Sequence, residues 1–139
     1  MKKTLTALLA IVAIAGCGSA PTAKLYGLGE QEVAGSDRSF ADAAELADAV
    51  QPSLDYECVL EGTDMMGADF AICDDDEYDG SAGLRLSVFL DEAAAEEGAL
   101  ASWGMNRGMG YAVFQNQNWV LSGPEAEVEI ARRALVPTS

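Results

Sequence analysis

The densest set of potential ligand atoms in the chain is Asp74-Asp75-Asp76-Glu77-Tyr78-Asp79-Gly80. Asp75, Glu77 and Asp79, followed by Gly80, place carboxylates at alternate positions and a glycine where a calcium loop makes its sharp turn. The match ends there. Leu86 stands where such a loop carries a bidentate glutamate, and a strand-like run follows in place of a helix. A divalent-cation sensor drawing on residues 74–79 is one function class this stretch suggests. A solvated acidic surface loop is the plainer one.

The remaining chemistry-bearing residues are sparser. Met65, Met66, Met105 and Met109 offer thioethers, which suit copper(I) but more often fill apolar gaps. Met65 and Met66, expected at a hairpin tip, read best as an exposed apolar contact for a partner. Gly104, Gly108 and Gly110 with Arg107 lack the lysine and hydroxyl of a phosphate-binding loop and read as a plain connection. With 23 acidic residues, some carboxylate pairs arise by chance. A carboxylate-dependent cell-wall enzyme is therefore an alternative class, with no pocket marked in the sequence. Trp103, Tyr111 and Trp119 read as core or sheet-face aromatics. There is no histidine, so the commonest general base and metal ligand is absent. Lys24 is the one lysine beyond Lys2 and Lys3. Catalysis is not expected, no catalytic residue is assigned, and no cofactor is implied.

The charge balance points the same way. Eight basic residues stand against 23 acidic ones, for a net charge of −15. Such a surface repels nucleic acid and anionic headgroups. It suits a soluble body held away from a membrane, or a basic or cationic partner.

The N-terminus carries an address. Met1-Lys2-Lys3 precedes an apolar run, Leu5 to Ile14, that is shorter than the ~20 residues a spanning helix needs. Ile14-Ala15-Gly16-Cys17 then resembles the lipobox of bacterial lipoproteins. That resemblance implies removal of 1–16, diacylglycerol on the Cys17 sulfur and often an N-acyl chain. Two or more chains anchor stably where one does not. The expected location is the extracytoplasmic face of the cell membrane, periplasmic where the host has an outer membrane. With Cys17 acylated, Cys58 and Cys73 remain, an even pair in an oxidising compartment. They are expected to form one structural disulfide.

The elements that must position these residues follow in order. Residues 17–37, rich in Gly, Ser, Ala and Pro, read as the lipidated N-terminus and a flexible tether, in which the short Lys24-Leu25-Tyr26-Gly27-Leu28 patch is a candidate for packing on the domain. Residues 38–139 read as one domain. Ser39 is the expected N-cap of a helix with Phe40, Ala43, Ala44, Ala47 and Val50 on one face, ended by Pro52. Tyr56–Leu60 and Ala68–Cys73 read as a hairpin turning at Glu61–Asp64. Leu84–Leu90 alternates as a strand. Asp91 opens a helix to about Ser102. Tyr111–Phe114 and Trp119–Leu121 flank a turn at residues 115–118. Ser122 and Glu125 have capping-box spacing ahead of a last helix. The order α-β-β-β-α-β-β-α with short connections predicts an α+β fold: a largely antiparallel sheet of about five strands with three helices on one face.

Three further features resemble small, mostly uncharacterised lipoproteins of high-GC Gram-positive bacteria. They are Ala43-Ala44-Glu45-Leu46-Ala47 in the first helix, the cysteine pair around a hairpin, and Asn118-Trp119-Val120 before the last helix. Gln117 departs from the glycine expected there. The resemblance implies placement and fold, and brings no reaction with it. The expectation for function is a lipid-anchored binding or accessory protein acting on another envelope component, whether protein or small ligand.

Overall fold

The computed structural model describes residues 20–74, 83–108 and 110–137. Ile14–Cys17 and the acidic candidates Asp75, Glu77 and Asp79 lie outside those residues, as does Met109.

Among the described residues, seven strands and three helices follow one another as β1 (Thr22–Tyr26), β2 (Glu30–Ala34), α1 (Ala43–Val50), β3 (Cys58–Thr63), β4 (Asp69–Cys73), β5 (Leu84–Val88), α2 (Glu92–Asn106), β6 (Tyr111–Asn116), β7 (Trp119–Pro124) and α3 (Glu125–Leu135). The strands form one sheet in the order β2-β1-β6-β7-β5-β4-β3. Every neighbouring pair is antiparallel.

The α+β class and the antiparallel sheet follow the sequence expectation; the strand count does not. The sheet has seven strands rather than five, because the β1–β2 hairpin forms inside the stretch expected as a tether. Ala23 and Leu25 turn to the main core while Tyr26 turns to the opposite face, the period of two that a strand requires. Pairing of Leu25 with Phe114 and Tyr26 with Val113 then joins the hairpin to the edge of β6.

The helices also differ from expectation, since they cover both faces. On one face α1 and α3 pack over Leu84, Leu86, Phe114, Trp119 and Leu121, all buried. Burying each of these side chains contributes about 1.5–3 kcal/mol. On the other face α2 packs through Ala95 and Ala99 on Tyr26, Val113 and Val120. Alternation explains the division: β6 and β7 send Phe114 and Leu121 one way and Val113 and Val120 the other. Central strands with apolar residues at both parities demand cover on both sides.

Helix starts shift for local reasons. Asp42, not Ser39, caps α1, its Oδ1 accepting from the Glu45 amide at 2.9 Å. Asp69 Oδ2 on β4 accepts from the next free amide, Ala43, at 2.8 Å. Asp91 caps α2 in the same manner. Ser122 does not cap α3; it belongs to β7, and Pro124 leads into that helix without a side-chain cap. The β6–β7 turn is clamped to the chain ahead of α1: Asn116 bonds Ser36, and Asn118 bonds Phe40 through both its amide and its carbonyl. Trp119 Nε1 donates to the Arg38 carbonyl at 2.8 Å. No helix among the described residues is long and apolar enough to cross a membrane.

Candidate functional site

The feature that stands out is a sheet face only half covered. α2 lies on β6 and β7. The α2-facing side of β5 and β4 continues past it with Arg85, Ser87, Phe70 and Ile72, paired across the ladder as Phe70 with Ser87 and Ile72 with Arg85. Between α2 and the β3–β4 turn runs a trough of about 510 Å³. Its floor is Ile72, Arg85, Ser87, Val120 and Ser122; its walls are Gly98, Ala101, Ser102 and Met105 on α2 and Asp64, Met65 and Met66 on the turn.

Sequence explains both walls. α2 presents Gly98, Ala101 and Ser102 to the trough, residues too small to fill it. At Gly98 a Cβ would lie 2.3 Å from the Phe89 ring, so only glycine admits that ring against the helix. The turn is built by Asp64, whose Oδ1 accepts from the Met66 amide at 2.9 Å and the Ala68 amide at 3.0 Å, with Gly67 at φ 84°. This differs from the expected turn at residues 61–64, because β3 extends through a bulge near Glu61 to Thr63. Asp64 Oδ2 also accepts from Arg85 Nη2 at 2.6 Å, tying the turn to the floor. The Arg85 guanidinium lies 3.9 Å over the Phe70 ring, and its Nε donates to Ser87 Oγ at 3.4 Å. The floor thus carries a polar spot, the Asp64–Arg85 pair with Ser87, and Ser122 opposite Arg85 in the ladder, while Ser102, Asn106 and Tyr111 add polar groups elsewhere in a largely apolar lining.

A second recess of about 330 Å³ lies between the β1–β2 turn and α3, lined by Leu25, Leu28, Glu30, Glu125 and Glu129 among others. Burial opposes ionisation of Glu129, yet hydrogen bonds and charge from Arg132, then Arg133, hold its carboxyl below the ordinary carboxylate range.

Cys58 and Cys73 are bonded, directly opposite one another on β3 and β4 with Cα atoms 3.9 Å apart. Met65 and Met66 do sit on a hairpin tip and are exposed, at the rim of the trough. Met105, expected on a loop, lies on α2 and lines the same trough. Cys17, Asp75, Glu77 and Asp79 lie outside the described residues, within which no group of three His, Cys, Asp or Glu side chains is placed to hold a metal. Sequence reading gave no site role to Arg85, Ser87 or Ala101, and took Ser122 as a helix cap. The available signal was β4: Phe70 and Ile72 are apolar at the parity opposite Ala71 and Cys73, which marks a strand with something to cover on both sides.

No protein-family model matches the chain, and neither a curated protein nor a solved structure matches it.

Proposed function

We propose that this chain is a lipid-anchored, extracytoplasmic binding protein of the cell envelope, and that the trough between α2 and the β3–β4 turn is its ligand site. One observation carries this reading: a concave surface of about 510 Å³ with a largely apolar lining and a few polar groups, Arg85, Ser87 and Ser122 among them, on its floor. Small-ligand sites have that size and that division of labour, apolar area for affinity and few polar atoms for orientation. Exposed methionines at the rim suit ligands of variable shape, since the thioether chain is flexible and polarizable. The anchor rests on Ile14-Ala15-Gly16-Cys17, and the acidic body fits a protein that stays off anionic headgroups.

The test is native mass spectrometry of the protein purified from intact envelope, alongside Ala101→Trp, which fills the trough from its helical wall. Bound small molecules on the wild type and none on Ala101→Trp are expected. Equal adducts on both, or none on either, would sink the trough as the site. The same spectra read the anchor: a start at Cys17 carrying acyl mass is expected, and an unmodified Cys17 refutes it.

A further inference from the structure

We propose that the trough takes a single-chain amphiphile with an uncharged, hydrogen-bonding head group, the head resting on Ser122 beside Arg85 and the chain lying between the Met66 and Met105 walls. This deepens the preceding section and rests on the trough being the ligand site.

Ser122 places the head. It is only 4% exposed, it lines the trough, and its hydroxyl bonds to no described residue. A buried hydroxyl without a partner is costly, and native structures leave few of them. Ser122 stands directly opposite Arg85 in the β5–β7 ladder, so the open hydroxyl lies at the polar spot of the floor and not at a random point. A ligand group that both donates and accepts would complete it.

Charge selects the head. Asp64 and Arg85 are the two ionised side chains among the described lining residues, and at 2.6 Å they neutralise each other. A phosphate or carboxylate head would compete with Asp64 for Arg85 inside the field of a chain of net charge −15. An ammonium head would meet the guanidinium. A glycerol-type or amide head bonds Ser122 and leaves the pair intact. The remaining lining is mainly thioether, alkyl, ring and small side chains, matched to an alkyl chain, with Ser87, Ser102, Asn106 and Tyr111 as its other polar members. A volume of about 510 Å³ leaves room for one chain rather than two.

The experiment titrates the full chain with monolaurin, lauryl phosphate and lauryl trimethylammonium, which share one chain and differ in head charge. Each is used below its micelle concentration and read by calorimetry. Monolaurin is expected to bind about tenfold tighter than either charged probe. Ser122→Ala should weaken monolaurin about fivefold and leave the charged probes unchanged, and Ala101→Trp should abolish all binding. A charged probe that binds as tightly as monolaurin, or a Ser122→Ala protein that binds monolaurin undiminished, overturns the head-group assignment while the trough stands. Failure of every probe overturns the amphiphile. Binding that survives Ala101→Trp overturns the trough itself.

Discussion

Gly98→Ala tests how α2 is seated and, through it, why a trough exists. Helix propensity alone favours the change by about 0.8–1 kcal/mol, because alanine is the better helix former. Packing opposes it. The new Cβ would lie 2.3 Å from Phe89 Cζ and 2.7 Å from Cε2, and that ring is buried between α2 and the sheet. Overpacking of this kind costs about 1–3 kcal/mol. The expected sum is a loss of about 1 kcal/mol, read as a lower urea midpoint by tryptophan fluorescence with the disulfide intact. The decisive comparison is in a Phe89→Leu background, where the ring is gone. There Gly98→Ala should stabilise by roughly the full helix-propensity gain, so the sign inverts. Stabilisation by Gly98→Ala in the wild-type background, or the same effect in both backgrounds, would refute the account of the glycine as a seat for Phe89.

Reducing the Cys58–Cys73 bond, which closes a separation of 15 residues, should cost about 3 kcal/mol in the chain-entropy account. A thermal midpoint indifferent to reductant would contradict it. Gln117→Gly should stabilise by about 0.5 kcal/mol, since Gln117 holds φ 49° and gives up only a 3.4 Å contact to the Ser36 carbonyl; a lower melting temperature would show that the contact matters more than the backbone. The Glu129 carboxyl titrates lower folded than unfolded, so its contribution is full above its unfolded pKa and disappears as pH falls through the depressed folded value. Glu129→Gln should therefore flatten the acid limb of the stability–pH curve while leaving the alkaline side parallel, and an unchanged acid limb would dismiss the Arg132–Arg133 pairing as a stabiliser.

Local signals were readable where one residue type settles the matter. Alternation in Leu84, Leu86 and Val88 gave β5, and Asp91 gave the start of α2. Gln117 also marked a real oddity: the position takes a left-handed conformation that glycine adopts more easily. What stayed hidden depends on partners far along the chain. β1 is a strand because β6 offers Val113, Phe114 and Gln115 as an edge; the Lys24–Leu28 patch signalled packing on the domain, but not a strand paired to that edge. The two-sided cover of the sheet was legible in principle from Val113 beside Phe114 and Val120 beside Leu121, but a helix-on-one-face layout uses the same elements. The trough was least legible of all. It arises where α2 stops short of β4 and β5, and how far a helix reaches sideways is set by tertiary packing, not by any local pattern.

The early start of the sheet has a consequence for reach. β1 begins at Thr22, so residues 18–21 alone separate it from Cys17. Fully extended chain spans ~3.3–3.6 Å per residue, so the leash is under ~20 Å. With Cys17 acylated as proposed, the acidic body is repelled by anionic headgroups yet held within that distance of its own leaflet, instead of ranging across the envelope. Molecules dissolved in that leaflet are then presented at high effective concentration, as in any tethered encounter. A partner on a distant membrane would lie out of range unless the whole acylated protein left the bilayer with its cargo.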